Sequence, residues 1–313
     1  MKPNSHLFVY WDTDMNELES TLEKYGDSIS YLKIASAAVE HVDIDGICSL
    51  VQGTAVSVCV GGGVVEDESR MRYSWLQRLL GKNKKDFSTF ARRGVTAVEL
   101  PVVALKHTEI LKLVDDFFPT KLVEVGTKND CFDMTNSPSY MVHDVQQAQE
   151  YGADHIVLEG SAFGTCGIYH GNGKPNILAV HQIMEHFTDR TQCIIEGPSQ
   201  KSQDIWRSIF GPDTHIGNIQ DFTQVNTPIQ VNFPPQYWDM LTTFRNKLRE
   251  ISDDFGFSWD DIARNEKINT DLMTKFPDLL ALDDSELRQY VLRAYMDYIA
   301  EEGTLLMTKL FGN

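Results

Sequence analysis

Short apolar runs alternate with amphipathic runs along most of the chain. Strand-like runs lie at Leu7–Thr13, Ser30–Ser36, Ala55–Gly61, Thr96–Val102, Lys121–Gly126, Asp154–Gly160, Gln192–Gly197 and Thr214–Ile219. Between them, helical spacing recurs at Met15–Tyr25, Asp43–Val51, Asp67–Arg93 (with a break at the Lys82–Lys85 cluster), Thr108–Phe118, Tyr140–Tyr151, Ile177–Phe187 and Gln203–Phe210. Strands that alternate with helices imply βα units and a parallel sheet. Eight of them in sequence fit a (β/α)8 TIM barrel better than an open doubly wound sheet, which needs fewer. Gly94, Gly152 and Gly211-Pro212 each precede a strand, where a helix C-cap glycine belongs.

The pattern changes after residue 233. Residues 234–313 read as helical, acidic and rich in aromatics, among them Tyr237, Trp238, Phe244, Phe257, Trp259 and Tyr295. The chain therefore divides into a barrel over 1–233 and a C-terminal helical extension over 234–313. Such an extension could complete the outer helical ring, cover the site or build a subunit interface, and a homo-oligomer is expected.

Composition narrows the function. The 313 residues carry a formal net charge of −17, which argues against a nucleic-acid partner, because phosphate backbones attract basic surfaces. Five cysteines stand at wide spacings with no CxxC pair, so neither a disulfide framework nor a zinc site is expected. Cys59 and Cys193 lie inside apolar runs and read as small buried thiols. No apolar stretch reaches the roughly 18 residues of a membrane span, and residues 1–10 lack a signal-peptide pattern. A soluble protein of the cytoplasm is expected, with no membrane partner.

The strand ends collect polar groups: Asp12, Lys33, Glu99, Glu124, Glu159 and Glu196. In a barrel all the C-terminal strand ends face one cavity. Several carboxylates there repel one another unless a cation sits among them, and Mg²⁺ suits oxygen ligands of this kind. Asp12, Glu124, Glu159 and Glu196 are the candidate metal ligands; the bland alternative is barrel-core glutamates paired with lysines. Lys33, Glu99, Lys128 and Glu159 are the candidate catalytic groups. Gly62 and Gly63 could let a backbone approach an anion, or form a plain turn. Lys201 and Ser202 in the loop after the seventh strand, and Gly217 and Asn218 at the end of the eighth, are candidate substrate contacts, since late barrel loops often hold a phosphate. A small anionic substrate is expected. His170, in the loop after the sixth strand, is a candidate proton carrier.

These residues resemble a known family. Glu196-Gly197-Pro198, Gln200-Lys201-Ser202-Gln203, Trp206, Phe210-Gly211-Pro212 and Gly217-Asn218-Ile219 resemble the signature of phosphosulfolactate synthase. So do Glu124-Val125-Gly126-Thr127-Lys128, Gly152-Ala153-Asp154 through Glu159, and Gly167-Ile168-Tyr169, and the likeness spans about residues 7–220. The resemblance implies a TIM barrel that uses Mg²⁺ to add sulfite to phosphoenolpyruvate. It implies an acceptor carboxylate on the metal, its phosphate on lysines and loop N–H groups, and an acid that protonates the carbon beside the new bond. The chain also departs from the pattern. Asp12-Thr13 replaces an Asp-Lys-Gly, Lys33-Ile34-Ala35-Ser36 replaces a Lys-aromatic-Gly-Trp-Gly, Glu99-Leu100-Pro101-Val102-Val103 replaces an acidic polar tail, and Glu159-Gly160-Ser161-Ala162 replaces a Glu-Ala-Arg-Glu. At least one lysine and one arginine of the anion pocket are gone, and arginine's fork is not replaced by serine.

Three expectations follow. The first is a Mg²⁺-dependent enzyme forming a carbon–sulfur or similar bond by conjugate addition of sulfite, or of another nucleophile such as a thiol, to an enolpyruvyl or related unsaturated acid. The second is a non-catalytic barrel in a stress-related or interaction role, suggested by the altered pocket and the acidic tail. The third is an aldolase using Lys33 as a Schiff base.

Overall fold

In the computed structural model, the chain is described over residues 6–10, 14–34, 38–39, 41–61, 84–127, 136–160, 164, 166–219 and 236–311. Strands and helices alternate as β1 (His6–Tyr10), α1 (Met15–Tyr25), β2 (Ile29–Ile34), α2 (Ile44–Val51), β3 (Ser57–Gly61), α3 (Lys84–Arg92), β4 (Ala97–Pro101) and α4 (Thr108–Phe117). They continue as β5 (Thr120–Val125), α5 (Pro138–Tyr151), β6 (His155–Leu158), α6 (Ile177–Met184), β7 (Cys193–Glu196), α7 (Gln200–Phe210) and β8 (His215–Gly217). All eight strands form one sheet in sequence order, every neighbouring pair parallel. β1 and β8 lie against each other, so the sheet curls into the expected TIM barrel.

Two cores follow from the alternation of side chains along a strand. Tyr31, Cys59, Ala97, Leu122, Val157 and Ile194, one from each of β2 to β7, form a separate buried cluster that fills the barrel. Their neighbours point outward: Leu32, Val58, Val60, Val98, Val123, Ile156, Cys193 and Ile195 join the larger core between sheet and helices. Cys59 and Cys193 are buried thiols, as their apolar runs predict.

Local chemistry sets the helix starts. Asp14, Asp43, Ser137, Asn176 and Ser199 each accept a hydrogen bond from a first-turn N–H, which places a polar cap at the end of a βα loop. α7 begins at Gln200 rather than the predicted Gln203. Ser199 and Ser202 close a reciprocal capping box that draws three loop residues into the helix. α5 likewise starts earlier than predicted, at Pro138, whose fixed φ suits a first helical position. The fourth strand ends at Pro101, and Val102–Lys106 forms a 3₁₀ turn with Val102 buried and Val103 exposed. Of the helix predicted over residues 67–93, only Lys84–Arg92 falls within the described residues.

Among the described residues, five helices follow the barrel: α8 (Tyr237–Phe255), α9 (Trp259–Ala263), α10 (Glu266–Thr274), α11 (Phe276–Ala281) and α12 (Asp284–Phe311). Tyr237, Leu241, Phe244, Leu248 and Ile251 recur at three- and four-residue spacing on α8 and are buried in the same core as the barrel's outer residues. No described helix is long and apolar enough to cross a membrane.

Candidate active site

The layer of side chains at the barrel's C-terminal end is the apolar floor stepped on by two residues. Tyr31 leads to Lys33, Ala97 to Glu99, Leu122 to Glu124, Val157 to Glu159 and Ile194 to Glu196. A step of two keeps a side chain on the same face of a strand. One lysine and four glutamates therefore point to one mouth, and all five are less than a tenth exposed. Cys59 leads in the same way to Gly61, where a Cβ would lie 2.1 Å from the Glu99 carbonyl oxygen, so only glycine lets β3 and β4 meet there.

Lys33 forms an ion pair with Glu99 Oε1 and lies 4.0 Å from Glu124 Oε2. Burial pushes the Glu99 carboxyl up to about 8, against the pull of Lys33 and with help from the neighbouring Glu124. Desolvation outweighs the ion pair here. Burial thus favours the protonated form of the Glu99 carboxyl beside Lys33 and Glu124, a combination suited to proton donation.

Glu196 is fixed from several sides. Its Oε2 accepts from the Gly160 N–H at 2.8 Å, and its carbonyl accepts from the Tyr169 hydroxyl at 2.7 Å. Trp206 Nε1 donates in turn to the Tyr169 hydroxyl at 2.8 Å. The next residue, Gly197, donates to the Gly217 carbonyl at 3.0 Å and accepts from Gln203 Nε2 at 2.9 Å, tying β7 to β8 and α7. Glu159 is fully buried; its N–H donates to the Val125 carbonyl and its own carbonyl accepts from the Ile168 N–H, both at 2.9 Å. Asn218 is buried with φ 55, the one non-glycine in the left-handed region among the described residues. Asparagine tolerates that conformation, and held strain of this kind gathers at functional sites.

The structure thus brings Lys33, Glu99, Glu124, Glu159 and Glu196 to one rim, with Gly217 and Asn218 beside β7. Lys201 lies exposed on the first turn of α7. Ser202 is buried, and its hydroxyl serves the Ser199 cap, donating to the Ser199 carbonyl at 2.7 Å. Asp12, Gly62, Gly63 and Lys128 lie outside the described residues. His170 is half-buried beside Glu266 of the extension, and desolvation lowers its pKa to about 4, which makes it a poor proton carrier near neutrality.

The donor set can be tested against Mg²⁺. No group of three or more His, Cys, Asp or Glu able to hold a metal occurs among the described residues. Glu99 is committed to Lys33 and one oxygen of Glu196 to Gly160. Glu124, which also lies 4.0 Å from Lys33, and Glu159 are hard oxygen donors on adjacent strands of the same face. Two carboxylates suit an ion that keeps several of its waters, as Mg²⁺ does, and do not suit one that needs a full protein cage. Tyr169, Trp206 and Gln203 were not among the predicted site residues. A tyrosine inside the glycine-rich Gly164–Gly173 loop was the available signal.

Residues 12–227 match the family model of (2R)-phospho-3-sulfolactate synthase (ComA). Solved structures to which the chain is similar include orotidine 5'-phosphate decarboxylase from Pyrococcus horikoshii OT3, with 10% identity over 68% of this chain and 87% of that one and a TM-score of 0.47. 3-Hexulose-6-phosphate synthase from Salmonella typhimurium matches with 12% identity over 68% and 88%, TM-score 0.42. The YdjI aldolase from Escherichia coli K12 matches with 12% identity over 99% and 92%, TM-score 0.40. A comparison with curated protein sequences gives no match.

Proposed function

Because this chain belongs to the (2R)-phospho-3-sulfolactate synthase (ComA) family, we propose that it is a lyase-type enzyme that adds a sulfur nucleophile to phosphoenolpyruvate or a related unsaturated acid. The observation that carries this reading is the buried Lys33–Glu99–Glu124 group at the strand ends, where burial raises the Glu99 carboxyl.

The nucleophile bonds to the methylene carbon of the acceptor, and the π electrons of the double bond take up a proton at the neighbouring carbon. Lys33 and Glu99 form the donor pair for that proton, which solvent then replaces. Glu159 and Glu124 would hold Mg²⁺, which when bound supplies Lewis-acid polarisation of the acceptor's carboxylate. Glu196, clamped by Gly160 and Tyr169, orients the rim beside them. Lys201, Lys128 and the N–H groups around Gly62, Gly63, Gly217 and Asn218 are the proposed contacts to the anionic substrate.

The inner layer offers four glutamates and one lysine among its described residues, a setting that disfavours two strongly anionic reactants together. This favours a less charged sulfur nucleophile, such as a thiol, beside sulfite as the second substrate. Purified protein is incubated with Mg²⁺, phosphoenolpyruvate and either sulfite or a small thiol, and loss of the enol absorbance is followed. Turnover that Lys33→Ala abolishes supports the reading. Absence of turnover with both nucleophiles, together with no thermal stabilisation by Mg²⁺ and phosphoenolpyruvate, overturns it in favour of the non-catalytic alternative.

A further inference from the structure

The C-terminal extension has no role in the chemistry above, yet one of its side chains is built into the barrel. Asn269 of α10 is fully buried. Its Oδ1 accepts from the Leu178 N–H at 3.0 Å, and its Nδ2 donates to the carbonyls of Ala263 at 2.9 Å and Asn265 at 3.0 Å. Leu178 is the second residue of α6, whose first-turn N–H groups have no partner within the helix. Asn176 caps one of them, on Ala179, and the extension supplies the cap for another.

From that point a short backbone path leads to the site. Asn176 N–H donates to the Ile168 carbonyl, and Ile168 N–H donates to the Glu159 carbonyl, both at 2.9 Å. Gly167, with φ +61, lies so close that a Cβ there would be 1.9 Å from the Glu159 carbonyl oxygen. Tyr169 follows at once and holds the Glu196 carbonyl. A second contact lies further out: Glu266 of α10 accepts from Asn172 Nδ2 and from Lys174 Nζ at 2.9 Å. Trp259 of α9 adds a donor to Gln182 of α6.

We propose that the extension is part of the active-site scaffold, and that Asn269 is a positioning residue that holds segment 166–178 so that Glu159 and Glu196 present their carboxylates at the mouth. The inference rests on the proposed function for the use of those carboxylates, and on the geometry alone for the linkage. A rim built from loops gains precision when a rigid element outside the loop fixes its base. The extension supplies that element to a barrel whose loop after β6 is long.

The test is backbone amide exchange on the full chain, with Asn269→Leu and Glu266→Ala compared with wild type. Asn269→Leu leaves the Leu178 N–H buried without an acceptor, so exchange across 166–178 should rise about tenfold or more. Exchange in β2 and β4 should stay as in wild type. Glu266→Ala, at a half-exposed surface pair, keeps the fold and should raise exchange about threefold, confined to 170–174. Unchanged exchange in 166–178 for Asn269→Leu overturns the linkage, as does a uniform rise over the whole chain. Should Asn269→Leu fail to fold, unchanged exchange at 170–174 in Glu266→Ala overturns it. Kinetics with Mg²⁺, phosphoenolpyruvate and the active nucleophile then tests positioning: Asn269→Leu should lower kcat at least tenfold with KM changed less than threefold. Faster exchange with kcat unchanged refutes the positioning role. Wild type that neither binds nor turns over phosphoenolpyruvate defeats the proposed function instead, while the exchange comparison still decides the linkage.

Discussion

Replacing Lys33 by methionine tests how the charged layer is balanced. In the native protein the Lys33 ammonium faces the Glu99 and Glu124 carboxyls, and all three side chains are buried. Methionine keeps most of the aliphatic stem and removes the charge. Breaking a buried ion pair from one side costs about 3–5 kcal/mol, because the remaining charge stays desolvated. Here the cost depends on pH, since the two carboxyls can take up protons instead. Without Lys33 the pull that lowers the Glu99 carboxyl is gone, so it is pushed further up than in wild type. The folded variant then binds more protons than its unfolded chain from the ordinary carboxylate range to above neutrality, and its stability falls as pH rises. The loss relative to wild type should be about 1 kcal/mol near pH 5, where protonation removes the repulsion, and about 3–5 kcal/mol near pH 8.5. Urea unfolding followed by far-ultraviolet circular dichroism at both pH values gives the two differences. A second substitution, Glu99→Gln, should return most of the loss at the higher pH. Equal destabilisation at pH 5 and pH 8.5, or none at pH 8.5, would refute the balance described here.

Further expectations follow from other contacts. Tyr169→Phe removes the hydroxyl that serves both the Glu196 carbonyl and Trp206 Nε1, and should cost about 1–3 kcal/mol in urea unfolding, with a shift in Trp206 fluorescence. Gly167→Ala places a methyl group on the Glu159 carbonyl at a left-handed position and should destabilise by more than about 3 kcal/mol; a melting temperature within two degrees of wild type would contradict the packing. Desolvated histidines contribute to the acid response. His170 and His215 are lowered to about 4 and His181 to about 3, each chiefly by burial. The unfolded chain therefore binds protons first, and stability should fall as pH drops from about 6.5 towards 4, most visibly as an unfolding midpoint that declines across that window. Glu99 acts in the opposite direction, its raised pKa lowering stability as pH rises from about 4.5 to 8.

The barrel was legible because its strands are continuous apolar runs between polar helical faces, and the runs of β2 to β7 are buried on both sides. The glutamates at the strand ends were legible for the same reason: a carboxylate that closes an apolar run stands out. What pairs with what was not. Lys33 and Glu99 are separated by 66 residues, and nothing local in either run fixes that Glu99 rather than Glu124 takes the closer place. The start of α7 was missed because Ser199 and Ser202 satisfy each other, and a Gly-Pro-Ser turn reads as loop until that reciprocity is seen. Asn269 was invisible from sequence, since its function is a hydrogen bond to a backbone group in another helix, which carries no residue signal at all.

The six-residue apolar plug beneath the charged layer has a directional consequence. Tyr31, Cys59, Ala97, Leu122, Val157 and Ile194 close the barrel like the base of a cup. Among the described residues this floor leaves the glutamates facing the opening that admits the reactants. On the proposed chemistry, whatever covers that opening would also cut the acid off from resupply, so a covered cup would release one proton and uncover before the next cycle.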